Sequence, residues 1–131
     1  MEEAITGIIA TLRAGTALMA RIGGVYMGVG PGTASYPFVT VNFYSGAERA
    51  LISGGWHDLT YTVKCVDKNT SALPALQIQG LIDLALTAGT VISIAGHTTL
   101  WARRVTPIEY QEVDGEDIYW HCGGNYRITL I

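Results

Sequence analysis

The sequence predicts one α+β domain spanning residues 1–131: an antiparallel, at most mixed, β-sheet with two helices packed on one face and a long terminal β-hairpin. Three observations lead to this fold class. Two segments have apolar residues at helical spacing, several shorter segments alternate between apolar and polar residues, and their order is helix, strands, helix, strands. With 131 residues, 49% of them hydrophobic, the chain can bury a core without disulfides or metal.

The first predicted helix covers residues 3–22. Its apolar residues recur at helical spacing, and acidic residues precede arginines along it, as the helix dipole favours. Gly7 and Gly15 each cost about 1 kcal/mol relative to alanine, so tertiary packing has to hold this helix together. Gly23-Gly24 is expected to end it.

A short strand at residues 25–27 is followed by a Gly- and Pro-rich loop at residues 28–35. A longer strand is predicted for residues 38–44, because the segment alternates with the two-residue period of a half-buried strand. Pro37 suits the first position of that strand, since proline lacks an N–H and pushes the preceding Tyr36 into an extended conformation. We expect the chain to enter this strand already straightened.

Residues 45–55 are polar and contain glycine, which predicts a long connection to the next strand. That strand is clear from the alternation of residues 59–65. The second predicted helix begins after Asn69 or Ser71, either of which can cap it, and Pro74 is tolerated in its first turn. Gly89 supplies the expected C-terminal stop.

The last third is rich in strand signals. The predicted strands and turns are residues 91–95, a Gly96-His97 turn, residues 98–105, residues 108–113, an Asp114-Gly115 turn, and residues 118–130. Asp-Gly between alternating residues is a strong hairpin signal. Gly123-Gly124 predicts a bulge or kink in the final strand.

The net charge of −3 and the pI near 5.5 argue against a protein whose main role is to bind the phosphates of nucleic acids. Cys65 and Cys122 are far apart in alternating segments, which favours two buried, reduced thiols over a disulfide framework. The Met1-Glu2-Glu3 start has no basic region, and Arg13 interrupts the apolar residues that follow. Neither export nor a membrane span is predicted.

The sequence contains only weak candidates for catalytic, metal-binding or phosphate-binding motifs. The glycines at residues 28–32 resemble a phosphate-binding loop only superficially, because a strand and not a helix follows them. Three histidines and the two cysteines lack the short ligand spacing of a zinc motif. A Cys–His nucleophile pair stays open as a matter of folding geometry, although no G-x-S-x-G motif supports it. We predict no enzyme and no catalytic, metal-binding or cofactor-binding residue.

Acidic residues gather around the terminal hairpin, just after Arg103 and Arg104. Two interpretations remain open: a solvated hairpin tip with ion pairs of little energetic weight, or a surface that faces a partner or a channel. Trp56 and Trp120 fit either an interface or the core.

Several short stretches together resemble the tail-completion, or tail-terminator, family of long-tailed bacteriophages. They are Gly23-Gly24-Val25-Tyr26, the Gly/Pro loop, Tyr36-Pro37-Phe38-Val39, a strand beginning near Asp58, a central helix, and an Asp-Gly hairpin running to Tyr126-Arg127-Ile128. The resemblance covers almost the whole chain, and Tyr36-Pro37 is its strongest piece. The second helix departs from the pattern, because it is apolar around most of its circumference.

The resemblance implies a virion protein that forms a ring, six-fold in the family, on the head-proximal end of the tail tube. The implied partners are further copies of the chain, the tail tube protein, and a head-completion or connector protein, with DNA passing through transiently and no membrane. The implied location is the head–tail junction of the virion, and the host cytoplasm during assembly. The family carries no catalytic residues and no cofactor.

Two residue sets follow as hypotheses. Candidate interface residues are Tyr36, Pro37, Trp56, His57, Arg103 and Arg104. Candidate residues of the ring lumen are Glu109, Glu112, Asp114, Glu116 and Asp117. Their negative charge would repel the phosphates of DNA that passes through the ring. We also expect residues 28–35 and 45–56 to contact neighbouring subunits or rings.

Two other readings stay open. One is a head-closure or other connector-adjacent ring protein. The second is a small cytosolic enzyme or ligand-binding domain, which a deep pocket holding His57 or His121 beside a carboxylate would favour.

Overall fold

The computed structural model describes residues 2–51, 54–88 and 92–131, with the backbone alone at residues 47–51 and 54. Within these residues the chain forms three helices and five strands. Their bounds are α1 Glu2–Ala14, α2 Thr16–Met19, β1 Val25–Met27, β2 Phe38–Leu51, β3 Gly54–Lys68, α3 Leu73–Thr87, β4 Thr99–Asp114 and β5 Asp117–Leu130. The predicted α+β class is confirmed.

The described strands form one mixed sheet in the order β1-β2-β3-β5-β4. Strand β1 runs parallel to β2, and every other neighbouring pair is antiparallel. Cys65 lies opposite Cys122 where β3 meets β5, and both thiols are free and fully buried. Burial raises the pKa of both thiols, as expected for small core residues.

The core lies between one face of the sheet and all three described helices. Alternate strand residues such as Val41, Val63 and Ile128 point into it, and Ile8 of α1, with Ile82 of α3, packs from the other side. The opposite face of the sheet carries no described helix. We call this surface the helix-free face.

The single helix predicted for residues 3–22 is wrong. The chain breaks at Gly15, whose φ of −75° and ψ of 96° are extended, and α2 begins at the next residue. Glycine has low helix propensity, so a reorientation costs least there. The break places Leu18 of α2 in the core, 1% exposed.

The connection predicted for residues 45–55 is also wrong. After a bulge between Phe43 and Ser45, β2 and β3 stay paired from Ser45 opposite Thr60 to Leu51 opposite Gly54. A backbone ladder needs no apolar face, so these residues form strands without an alternating sequence pattern. We call this extension, residues 45–51 of β2 and 54–60 of β3, the arm.

The strand predicted for residues 91–95 does not form in its described part; Val91 lies outside the described residues. Ile94 makes one isolated bridge to His97 around a turn in which Gly96 has a φ of +77°. Farther along, the strands predicted for residues 98–105 and 108–113 are one continuous strand, β4. Pro107 is tolerated within it because β4 is an edge strand.

The bulge predicted at Gly123-Gly124 is wrong as well. Both glycines pair regularly with β3, and the irregularity falls on β4, between Arg104 and Thr106. Gly123 instead lets β5 lie close to β3, because a Cβ at this position would collide with the Val63 carbonyl oxygen.

The second helix is confirmed with changed ends. Its N-cap is Ala72, although the Ser71 hydroxyl accepts a bond from the Leu73 N–H at 3.2 Å. The helix ends at Thr87, and Gly89 lies outside the described residues. No helix in the described part of the chain has the length and apolar character to cross a bilayer.

Candidate functional site

The Tyr36-Pro37 candidate lies where the Gly/Pro loop enters β2. The peptide bond between the two residues is cis. The Tyr36 ring is 45% exposed and sits between Phe38 and Tyr119, with ring centroids 5.1 and 5.7 Å away. The Pro37 carbonyl accepts a bond from the Gly23 N–H at 2.8 Å. This junction is therefore anchored to the sheet while it presents an aromatic surface.

A cleft of about 720 Å³ opens on the helix-free face beside this junction. It lies between the Gly/Pro loop and the end of the β4–β5 hairpin. Its lining includes Phe38, Thr40, Val66 and His121. The Thr40 hydroxyl and the His121 Nδ1 atom are buried and find no hydrogen-bond partner among the described residues.

His121 is the centre of a small network on this face. Its ring stacks on Tyr110 with centroids 4.4 Å apart, and its Nε2 lies 3.2 Å from Oε1 of Glu112. The Lys64 ammonium donates to the Tyr110 hydroxyl at 2.7 Å. Burial lowers the pKa of His121 below its ordinary value, Lys64 adds to this, and the bond to Glu112 opposes it.

The remaining interface candidates are dispersed over the molecule. Trp56 and His57 lie midway along the arm, opposite Arg49 and Glu48 of β2. Both are partly buried, and the His57 ring meets His97 edge-on at 5.3 Å. Arg103 and Arg104 point to opposite faces of β4, as neighbours in a strand do. The structure does not bring these four residues together with Tyr36 and Pro37 into one patch.

The two arginines have different partners. The Arg103 guanidinium lies over the Trp101 ring, 4.8 Å from its centroid, on the helix-free face. The Arg104 Nε lies 3.9 Å from Asp83 of α3, on the helix-covered face. Both side chains are about a third or more exposed, so the pairings are weak and leave room for other contacts.

The candidate lumen residues flank both faces of one hairpin end. Glu109 lies opposite Cys122 on the helix-covered face, whereas Glu112 bonds His121 on the other. Asp114, Glu116 and Asp117 surround the turn itself; Asp117 lies 3.4 Å from the Lys68 ammonium, while Asp114 and Glu116 are exposed. The hairpin tip is therefore acidic, with three of the five carboxylates within residues 114–117.

Sequence reasoning missed a polar cluster at the other end of the helix-free face. Asp58, 8% exposed, accepts bonds from Arg127 at 2.8 Å and from the Thr129 hydroxyl at 2.6 Å. Arg127 also lies over the Trp101 ring, at 5.8 Å. Only the register of β3 against β5 joins residues so distant in sequence, and no sequence signal gives that register.

Metal ligands do not gather in the described part of the chain: no three His, Cys, Asp or Glu side chains there are placed to hold an ion. The residues singled out above offer hydrogen bonds, aromatic faces and charge. They form surfaces suited to contact with another molecule, plus one open cleft.

The fold has a counterpart among solved structures. A chain from the virion of a native gene transfer agent particle superimposes with a TM-score of 0.79 and 15% sequence identity, over 94% of this chain and 90% of that one. No protein-family model and no curated protein matches the sequence. At this identity the likeness shows a shared fold over nearly the full length of both chains.

Proposed function

We propose that this chain is a structural protein of a phage-like particle, and specifically the ring-forming tail terminator that caps the tail tube and joins it to the head connector. The observation that carries the proposal is the full-length likeness to a chain of a gene transfer agent virion. The residue pattern around Tyr36-Pro37 and the terminal hairpin, which resembles the tail-completion family, favours the narrower role of tail completion.

The architecture supports such a role physically. A ring of identical subunits needs two different surfaces on each copy that meet head-to-tail. This chain offers the arm and the edge of β4 on opposite sides of its sheet. It also offers a helix-free face and an acidic hairpin tip, which suit contact with neighbouring rings and a lumen that repels DNA.

Deletion of the coding sequence in its own genome tests the proposal. Filled heads and full-length tails should then accumulate unjoined, and supplying the protein in trans should restore joining. Tails of uncontrolled length would fit the same role, because a terminator also stops tube growth. Normal particles in the deletion strain would refute the proposal, and empty heads that lose their DNA would favour the head-closure alternative.

One observation favours a second candidate, a ligand-binding domain. The cleft on the helix-free face holds His121 beside the Glu112 carboxylate. His121 is only 9% exposed, however, and its ring lies against the Tyr110 ring, so it is poorly placed to reach a reacting molecule. Calorimetric titration with a small-molecule library tests this candidate: saturable binding that His121→Ala abolishes would support it.

A further inference from the structure

The described sheet has two open strand edges, one on β2 and one on β4. On one side, β1 covers β2 only from Val39 to Val41, so among the described residues the outer edge of the arm has no neighbour. On the other side, the whole of β4 is an outer strand. Open edges present rows of unpaired N–H and C=O groups that can accept another strand.

Each open edge contains one long uninterrupted segment, and these two segments have equal length. On β2 the ladder is regular after the bulge that follows Phe43, over residues 45–51. On β4 the bulge before Thr106 and the missing N–H of Pro107 interrupt the edge, and the ladder is regular over residues 108–114. Both segments have seven residues.

The hydrogen-bond phase of β4 follows from its turn. Asp114 and Asp117 close a two-residue turn in which Gly115 has a φ of +64°, as the first central residue of a type II′ turn requires. The N–H and C=O groups of Asp114 bond to Asp117 on β5 and so point away from the open edge. Along an antiparallel strand these groups point alternately toward the paired strand and toward the open edge. The outward N–H groups are therefore those of Glu109, Gln111 and Val113. Pro107 has the same phase, and its missing donor falls on the open side.

Strand direction also matches. Because β2, β3, β5 and β4 are each antiparallel to the next, β4 runs opposite to β2. Rotation about a ring axis that runs along the strands keeps their direction, so it brings the β2 edge of a second copy antiparallel to β4 of the first. We infer that residues 108–114 of one copy pair with residues 45–51 of the next, which joins the sheets of neighbouring subunits.

Two features favour this pairing over contact between like edges. Two β4 edges side by side would bring the carboxylates of Glu109, Glu112 and Asp114 from both copies together, and like charges on facing strands repel. A β4–β4 contact would also stop at a dimer, whereas β4 with β2 is head-to-tail and can close into a ring. The inference rests on the proposed ring and specifies its subunit contact.

The exposed side chains of the segment fit a covered edge. Tyr110 is 45% exposed and Val113 is 62% exposed, large values for bulky apolar groups. The two backbone features that block pairing, Pro107 and the bulge beside it, lie outside residues 108–114, so the outward N–H and C=O groups of this segment stay available.

A backbone test uses Gln111→Pro, which removes an outward N–H and no bond within the subunit. The matched control, Gln111→Ala, removes the side chain and keeps the donor. We expect the proline variant to fold with a near-normal melting temperature and to lose ring formation, while the alanine variant assembles. Rings of normal abundance from a folded proline variant would overturn the inference.

Cross-linking of assembled particles gives an independent readout. In the register that aligns the segments end to end, Gln111 lies opposite Glu48; a shift of two residues places it opposite Gly46 or Ala50. Gln111→Cys is combined with a cysteine at each of these three positions, and opposite strand residues are close enough for a disulfide. The native cysteines are buried and do not compete.

A ladder of covalent oligomers from one of the three double variants is the expected result. Covalent dimers from Gln111→Cys alone would indicate β4–β4 contact and overturn the inference. Imaged rings at the tail end that give no ladder from any pair would also overturn it, but would leave the proposed function standing. Particles without such rings would remove the proposed function itself.

Discussion

Gly123 lies in the middle of β5, where β3 and α3 approach it from two sides. A Cβ at this position would collide with the Val63 carbonyl and with Lys64. The Gly123 carbonyl accepts a bond from the buried Gln79 amide of α3 at 2.7 Å. The absence of a side chain thus allows β3 and β5 to pack closely where Gln79 of α3 hydrogen-bonds to the sheet.

Substitution of Gly123 should show this constraint. Gly123→Ala is expected to lower the free energy of unfolding by about 1–3 kcal/mol, the usual cost of overpacking. Gly80→Ala is the control: Gly80 lies in α3 with no atom near a built Cβ, and alanine there should stabilise the protein by about 1 kcal/mol. Urea denaturation measures both, and equal effects would contradict the close-approach explanation.

The buried position of His121 predicts a dependence of stability on pH. Its pKa in the folded state is lowered, chiefly by burial, so the unfolded chain binds this proton more readily. Stability contributed by the neutral ring is therefore present above the ordinary value of 6.5 and is lost as the pH falls below it. The slope cannot exceed about 1.4 kcal/mol per pH unit for one proton.

In His121→Gln, the free energy of unfolding should depend less on pH below 6.5 than it does in the parent protein. Glu112→Gln should have the opposite effect: without the carboxylate that favours the charged ring, the loss should extend to lower pH. Thermal melts at a series of pH values measure both variants. An unchanged profile in His121→Gln would show that another group controls the transition.

Among the elements, the strands that border the core were predictable and the arm was not. Residues 59–65 alternate because one face packs on the helices, and β3 follows that pattern. Almost all of the arm lies beyond the described core side chains: Val41 is the last of them on β2, and Leu59, near the start of the arm, is the last on β3. Its sequence therefore carries no alternation, and pairing alone makes it a strand.

The candidate site was predictable to a similar degree. Sequence indicated the Tyr36-Pro37 junction and the acidic hairpin, because proline and charge act locally. The Asp58 cluster and the His121 network depend on which residues face each other across strands, as in Tyr110 opposite His121. Strand register is a long-range property, so the sequence could not reveal either group.

Shortening the arm tests its role as an element. Replacing residues 48–57 by Asn-Gly closes the hairpin at the Ala47–Asp58 pair and removes only His57 from the β3 residues that pair with β5. We expect a folded monomer that forms no ring and does not join heads to tails. The control exchanges Gly115-Glu116 for Asn-Gly, which changes a turn without shortening a strand. Normal joining by the short-arm protein would contradict this role.

At the scale of the whole molecule, charge is unevenly placed. The chain has a net charge of −3, and acidic side chains concentrate at one hairpin end. If these line the lumen, Glu109, Asp114 and Glu116 changed together to lysine should slow DNA ejection, because the lysines would attract passing phosphates. Glu112 and Asp117 are kept because they bond His121 and Lys68.

Neutral Gln and Asn at the same three positions provide the control for that experiment and should have a smaller effect. Ejection is followed by fluorescence of released DNA at several salt concentrations, and added salt should relieve the lysine variant. The same ejection rate in the lysine variant and the parent would place these carboxylates outside the lumen.

The central claim is that this chain closes into a ring at the junction of a phage-like head and tail. Electron cryo-microscopy of particles from the genome that encodes it tests this most directly. We expect density for the fold as a closed ring between the last tube ring and the head connector, with six copies as in the family that the sequence resembles. The same fold found elsewhere in the particle, or absent from it, would contradict the account.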